Sequence, residues 1–232
     1  MALREILLAS VIALAMPAAA GQADATPEGW KAFKINDKKT LTVYRMIEED
    51  GRRVLHARAD GSASGLSRVA TFNLVERPVV TWSWKIDRLI PKADNRKASG
   101  EDSPVRIVLV FEGDKEKLST ADRVVMSLAH KLSGQELPYA TLMYIWSNDV
   151  PVGSVIPNPH TRRIQMVVAS SGAAGVGAWQ KLSRNVAADF RRAFKEEPGR
   201  LLAYGVMSDT DNTGESVEAW YGEIRSVSKK TP

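Results

Sequence analysis

The most concentrated group of reactive side chains lies in residues 208–215, Ser-Asp-Thr-Asp-Asn-Thr-Gly-Glu. Carboxylate and amide oxygens crowd around Gly214, and these are the ligands that calcium prefers. Counted from the first Asp, the twelfth position is Trp220 instead of Glu, so the segment is not an EF-hand loop. The competing interpretation is a turn in which Asp and Asn side chains bond to nearby backbone. The residues proposed here as metal ligands are Asp209, Asp211, Asn212 and Glu215.

Other carboxylates suggest acid–base chemistry. Glu101, Asp102 and Glu223 are candidates to meet the acidic segment in the folded chain. A pair of carboxyl groups about 5 to 9.5 Å apart is the arrangement that glycoside hydrolysis uses. A hydrolase or lyase hypothesis therefore depends on carboxylates drawn from Asp102, Asp209, Asp211 and Glu215.

Two aromatic segments are candidates for a sugar-binding rim, because pyranose rings stack on exposed aromatic faces. Trp146 stands beside Ser147-Asn148-Asp149, and Trp220-Tyr221 follows the acidic segment. Burial in the core is the competing interpretation for these rings, as it is for Trp82, Trp84 and Trp179. The residues predicted to contact a ligand are Asp102, Trp146, Asn148, Trp220 and Tyr221.

Other catalytic and cofactor patterns are weak in this sequence. Residues 171–177 resemble a dinucleotide-binding turn but lack the third glycine. The three histidines have no metal-binding spacing. The chain has no cysteine, which excludes thiol catalysis, disulfides and cysteine-ligated zinc. Calcium is therefore the one cofactor that the residues suggest.

Charge and the first residues indicate where the protein works. A net charge of +5 is spread over scattered basic pairs without interleaved aromatic residues, so nucleic acid is not an expected partner. A basic start, a short apolar run and a small-residue site at Ala20 predict a signal peptide over residues 1–20. We therefore expect a periplasmic or secreted protein. This apolar run is too short to span a bilayer and no other segment approaches 18 apolar residues, so an integral membrane protein is not expected. The sequence makes no prediction of oligomeric state.

Residues 21–232 are predicted to form a single β-sandwich domain. Eight or nine segments rich in β-branched and aromatic residues are separated by turn signals. Residues 78–86 alternate in polarity, and residues 105–111 are more continuously apolar, as in a central strand covered on both sides. Helical patterns over residues 121–132 and 178–195 interrupt the strands. The prediction is a mainly-β sandwich with two inserted helices.

A series of ordered blocks carries a resemblance to a known family. It includes Trp82-Ser-Trp-Lys-Ile-Asp87, Leu142-Met-Tyr-Ile-Trp146 and Ala219-Trp-Tyr-Gly-Glu-Ile224. Residues 62–66 precede these blocks, and residues 100–107, 157–161, 184–194 and 207–216 lie between them. From about residue 30 to residue 227 the chain resembles the exported bacterial family called domain of unknown function 3047. The resemblance implies a jelly-roll-like sandwich similar to galactose- and carbohydrate-binding modules. In such modules an acidic residue of the final strand often helps to hold a structural calcium, a place that Glu223 would fill here. The family has no agreed activity.

Three functional hypotheses follow. The first is a non-catalytic module that binds a glycan or a cell-envelope polymer. The second is a carbohydrate-active enzyme that uses the clustered carboxylates. The third is a structural envelope protein in which residues 209–212 only shape a turn.

Overall fold

Two β-sheets form most of the fold in the computed structural model, which describes residues 26–35, 38–133 and 137–228. The predicted mainly-β sandwich with two helices is confirmed. The signal peptide predicted over residues 1–20 lies outside the described residues. Across those described ranges, no helix combines the length and apolar character that crossing a bilayer requires.

The described ranges contain thirteen strands, more than the eight or nine predicted. In chain order they are β1 (Lys31–Lys34), β2 (Val43–Glu49), β3 (Arg52–Asp60), β4 (Ala63–Val69), β5 (Val79–Ile86), β6 (Ser103–Phe111), β7 (Ala140–Ser147), β8 (Val155–Asn158), β9 (Thr161–Ser171), β10 (Gln180–Asn185), β11 (Leu201–Asp209), β12 (Ser216–Tyr221) and β13 (Arg225–Val227). Helix α1 (Thr120–Ser133) follows β6, and helix α2 (Val186–Phe194) follows β10.

The strands are divided between a seven-stranded and a six-stranded sheet. The first has the order β1-β4-β11-β6-β7-β9-β8, in which only the β7–β9 pair is parallel. The second has the order β10-β5-β12-β3-β2, with β13 also paired to β5. Most neighbours in both sheets are distant in sequence. Long-range pairing places β6 beside β11, and the turn after β11 leads into β12 of the other sheet.

Alternating side chains build the core between the sheets. Val80, Trp82, Trp84 and Ile86 of β5 are all buried, as the alternation predicts. The indole N–H of Trp84 donates to Ser170 Oγ across the sandwich at 3.1 Å, which satisfies a buried donor. Because successive strand residues point to opposite faces, each sheet keeps a second face turned away from this core.

Helix α2 is shorter than the sequence predicts. The apolar spacing indicated a helix over residues 178–195, but residues Gln180–Asn185 form β10, and Leu182 there pairs with Trp82 of β5. Asn185 then starts the helix, since its side-chain oxygen accepts from the N–H of Ala188 at 3.0 Å. The predicted start was wrong because β5 offers backbone partners to residues 180–185, and local apolar spacing contains no information about that pairing.

Candidate functional site

A cavity of about 800 Å³ opens on the outer face of the seven-stranded sheet. Val105 and Ile107 of β6 point into the core, so Arg106 between them points outward. Helix α1 and the chain after β1 border the space above the sheet. We call this space the Arg106 cavity. Its polar lining includes Glu101, Arg106, Asn158, His160 and Asp209, and its apolar lining includes Ile35, Val125, Leu137, Met143, Ile164 and Met207.

Arg106 forms the centre of this site although it is only 1 % exposed. Its Nη1 donates to Glu101 Oε1 at 2.9 Å, and its Nη2 donates to Asp209 Oδ1 at 3.2 Å. Nη2 also donates to the backbone carbonyl of Glu101 at 2.6 Å. Two carboxylates are thus held on one guanidinium, and we call Glu101, Arg106 and Asp209 the acid–arginine triad.

Besides its two carboxylate partners, the guanidinium of Arg106 contacts apolar side chains. Nη1 lies 3.4 Å from the sulfur of Met166 and 3.8 Å from that of Met143. Within the described residues, Nε of Arg106 is buried and has no hydrogen-bond partner. Burial lowers the pKa of Arg106, but Asp209 and Glu101 outweigh it and hold that pKa above its ordinary value. The cation is therefore permanent, and its field acts in a weakly polarisable medium.

Asp209 is the carboxylate with the strongest perturbation at this site. Burial raises the pKa of its carboxyl to about 7, against the lowering effect of Arg106. The nearby charges of Glu101 and Asp102 raise the pKa further, while the N–H of Ser103 favours the ionised form by donating to Oδ1 at 3.0 Å. Asp209 can therefore hold or release a proton close to neutral pH.

Glu101 links the triad to the edge strand β8. Its Oε1 pairs with Arg106, and its Oε2 accepts from Asn158 Nδ2 at 2.9 Å. The Glu101 side chain is 13 % exposed, so it is the more accessible of the two carboxylates. The floor of the cavity thus contains a carboxylate, a guanidinium and an amide in fixed mutual orientation.

Asp102 shapes the acidic turn from beneath. Its Oδ2 accepts from the backbone N–H of Thr213 at 2.8 Å and from the Thr213 hydroxyl at 2.7 Å. Its Oδ1 accepts from the N–H of Asn212 at 3.2 Å, and the Asn212 amide donates to the carbonyl of Ala98 at 2.8 Å. The loop before β6 and the acidic turn are therefore tied together, and Glu101 and Asp102 do converge with that turn. Asp102, predicted to contact a ligand, is 1 % exposed and accepts three hydrogen bonds from this turn.

Three aspartate side chains lie close enough together to be tested as a cation site. Oxygens of Asp102, Asp209 and Asp211 lie within 4.8 Å of one another. Arg106 already pairs with Asp209, and the ammonium of Lys39 pairs with Asp211. Calcium needs six to eight oxygens, so this donor set does not fit the ion unless Lys39 is displaced. No chemistry is therefore assigned to calcium here.

Two other predicted metal ligands, Glu215 and Glu223, do not belong to this group of carboxylates. Glu215 faces Lys92 at 3.7 Å. Glu223 pairs with Arg225 on an exposed part of the chain. Since Glu215 precedes β12 and Glu223 follows it, about 20 Å of strand separates them. The predicted set of Asp209, Asp211, Asn212, Glu215 and Glu223 is not gathered around one point.

Adding EDTA or calcium is expected to move the melting temperature of the purified protein by less than about 1 °C. The physical reason is that Lys39 and Arg106 already balance two of the three aspartates. Differential scanning calorimetry with each addition would test this expectation. A calcium-dependent rise of several degrees that Asp211→Asn abolishes would show that the ion displaces Lys39.

Two of the predicted ligand-binding rings lie in the core. Trp146 is 1 % exposed, and its N–H donates to the carbonyl of Gly172 at 3.0 Å. Tyr221 is 2 % exposed, and its hydroxyl donates to the carbonyl of Met207 at 2.7 Å. Neither ring presents a face to a ligand in this structure. Asn148 instead holds a loop, since its amide donates to the carbonyl of Ile90 at 2.7 Å.

Trp220 is half-buried on the outer face of the six-stranded sheet, across the sandwich from the Arg106 cavity. Strand register places it between Lys85 of β5 and His56 of β3. The Lys85 ammonium lies 4.3 Å from the indole centroid, and the His56 ring centroid lies at 5.1 Å. The five predicted ligand-binding residues therefore do not share one surface.

Sequence reasoning missed Arg106 and Asn158. One signal for Arg106 was present, because a charged residue interrupts an apolar strand that was expected to be covered on both faces. Arginine is almost never fully buried unless it is paired. Asn158 lies in a proline-rich segment and carries no comparable signal, since only the β8–β9 pairing brings it to Glu101.

Several solved structures resemble this fold at very low sequence identity. A family 11 carbohydrate-binding module of the cellulosomal cellulase Lic26A-Cel5E of Clostridium thermocellum is 6 % identical, with a TM-score of 0.44 over 87 % of this chain and 88 % of that chain. Endoglucanase 3 from family GH12 of Trichoderma harzianum is 8 % identical, with a TM-score of 0.42 over 87 % and 96 %. No residue role is carried over at these values.

Sequence comparison identifies the family. Among curated proteins, none matches the chain. A family model described as "Protein of unknown function (DUF3047)" matches residues 28–225, which is nearly all of the chain that the structure describes. The resemblance seen in the sequence blocks is thereby confirmed, and the chain belongs to the DUF3047 family.

Proposed function

We propose that this protein binds a glycan or a cell-envelope polymer in the Arg106 cavity. The observation that carries the proposal is the acid–arginine triad, with Asn158, at the floor of a cavity of about 800 Å³ with apolar walls. A sugar ring has hydroxyls around its edge and C–H groups on its faces. Planar carboxylate, guanidinium and amide groups bond to neighbouring hydroxyls, while apolar walls pack against the ring.

Binding is favoured because the polar floor is already ordered. Arg106 holds Glu101 and Asp209 in place, and Asn158 holds the second oxygen of Glu101. A ligand therefore loses little free energy to the ordering of these side chains. The rim adds Lys39 and His160, two polar groups that can contact hydroxyl or acidic groups of a polymer.

The test is retention of the purified protein on peptidoglycan, on lipopolysaccharide and on a glycan array. We expect Glu101→Gln to weaken retention by about tenfold or more, because a charged hydrogen-bond acceptor is lost from the floor. Glu76→Gln, at an exposed position outside the cavity, is the matched control. The proposal is overturned if the wild type is retained on none of these materials, or if Glu101→Gln is retained as well as the control.

A second candidate is a carbohydrate-active enzyme, and the pKa of Asp209 favours it specifically. Asp209 and Glu101 share one guanidinium, but burial raises the pKa of Asp209 to about 7, while Glu101 is nearer the solvent. Two carboxyl groups in contrasting surroundings suit a general acid and a base or nucleophile. Asp209 would protonate the departing oxygen, and Glu101 would act as base or nucleophile.

Reducing-sugar release from envelope and plant polysaccharides would test this second candidate. Asp209→Asn and Glu101→Gln should each abolish turnover while circular dichroism spectra stay unchanged. If none of the polymers that bind the protein is cleaved, the enzyme hypothesis is rejected and binding is left as the function of the site.

We also infer that the protein is exported, on the pattern of residues 1–20. N-terminal sequencing of protein recovered from the periplasm or medium should begin at Gly21. Recovery only from the cytoplasm with Met1 intact would contradict export.

A further inference from the structure

The Arg106 cavity has a second, apolar part that a sugar alone would not use. Val125 of α1 and Leu137 before β7 line it, together with Ile164 of β9. Ile35, which is 44 % exposed, stands at the entrance. In the strand order, Met143 of β7 lies between Arg106 on β6 and Ile164 on β9, while Met207 of β11 lies on the other side of Arg106.

The two parts place opposite demands on one ligand. Hydroxyls seated against Val125, Leu137 and Ile164 would lose hydrogen bonds to water without gaining any. A hydrocarbon chain seated on the triad would strip water from buried charges. A cavity with a charged floor and an aliphatic wall therefore suits a ligand that is polar at one end and apolar at the other.

The volume supports an extended occupant. A space of about 800 Å³ lies toward the upper end of the range for small-molecule sites and leaves room beyond one sugar ring. The apolar side chains come from α1, from the segment before β7 and from β9, so they enclose the second part from more than one side.

We infer that the ligand is an acylated glycan, with its sugar on the acid–arginine triad and its acyl chain along Val125, Leu137 and Ile164. This inference rests on the proposed glycan-binding function and specifies the ligand class. The thioether of Met143, between the two parts, is soft and adaptable, which suits the junction between a sugar and a hydrocarbon chain.

Isothermal titration calorimetry with methyl, butyl, hexyl and octyl glucosides, each below its micelle concentration, tests the inference. We expect the Kd to fall about fourfold for each methylene that the cavity buries, until the chain reaches solvent. Val125→Asn should flatten this dependence on chain length. Val124→Asn is the matched control, because Val124 is the neighbouring residue of α1, is 60 % exposed and does not line the cavity.

The outcomes separate this inference from the proposed function. Equal affinity for all four glucosides, reduced by Glu101→Gln, would overturn the acyl site and keep glycan binding. Chain-length dependence that Glu101→Gln leaves unaltered, with equal binding of hexanoate, would show an apolar site without sugar recognition and overturn both. If no glucoside binds, the inference is also rejected. Support requires chain-length dependence that Val125→Asn removes and a uniform loss in Glu101→Gln.

Discussion

Replacing Arg106 by methionine is expected to lower the free energy of unfolding at pH 8 by about 3 to 5 kcal/mol, because it leaves buried carboxylates without their cation. Arg106 is 1 % exposed and contacts both Glu101 and Asp209. Methionine keeps the unbranched apolar stem of arginine but is shorter, so the pH dependence is needed to separate the loss of charge from the loss of volume. Urea unfolding monitored by tryptophan fluorescence would measure it.

The pH dependence distinguishes a charge effect from simple misfolding. Without Arg106 the pKa of Asp209 should rise further, so the variant takes up a proton that the wild type has released. The loss of stability should therefore be smaller at pH 5 than at pH 8. Arg88→Met, in which a surface partner of Asp87 is removed, is expected to change stability little. An equal loss at both pH values would contradict the role given to the buried charges.

Asp209→Asn is expected to remove a large pH dependence of stability. The folded pKa of Asp209 is about 7, and burial is the main cause of its rise from an ordinary value of 3.8. Below about pH 4 both the folded and the unfolded states hold the proton. Between about pH 4 and pH 7 only the folded state holds it, so wild-type stability falls as pH rises through that window. Above pH 7 this group causes no further change.

The expected size of this effect is on the order of 4 kcal/mol across the window, relative to the Asn variant. Asn keeps a carbonyl oxygen for Ser103 and Arg106, so the local hydrogen bonds can persist. Urea unfolding at four pH values between 4 and 7 would give the difference between the two proteins. Glu76→Gln, at an exposed position, should follow the wild-type profile. A constant difference between wild type and Asp209→Asn would show that Asp209 is ionised in the folded protein throughout.

Local patterns in the sequence were sufficient to predict most of the fold class. The alternation of β5 and the apolar run of β6 depend only on neighbouring residues, and both strands are present as predicted. The start of α2 was not predictable in the same way. Residues 180–185 become a strand because β5 offers backbone partners to them, and that pairing is absent from any local window.

The candidate site was predictable only in part. Residue types singled out the acidic segment and named Glu101, Asp102 and Glu223 as candidates to meet it. The structure brings Glu101 and Asp102 to it, while Glu223 pairs with Arg225 elsewhere. Trp146 and Tyr221 carried the same polar-aromatic pattern as a binding rim, yet both point into the core. A strand pattern predicts that successive side chains lie on opposite faces of the sheet. The tertiary fold decides which of these faces packs into the core.

The sequence by itself determined a mainly-β chain with two helices, an acidic turn after β11 and a charged residue inside an apolar strand. The tertiary structure alone decided that Arg106 meets a carboxylate five residues earlier and another more than a hundred residues later. The physical reason is that the pairing of β6 with β11 sets this meeting, and pairing depends on long-range hydrogen bonds and core packing. The charged floor of the Arg106 cavity is a product of that register.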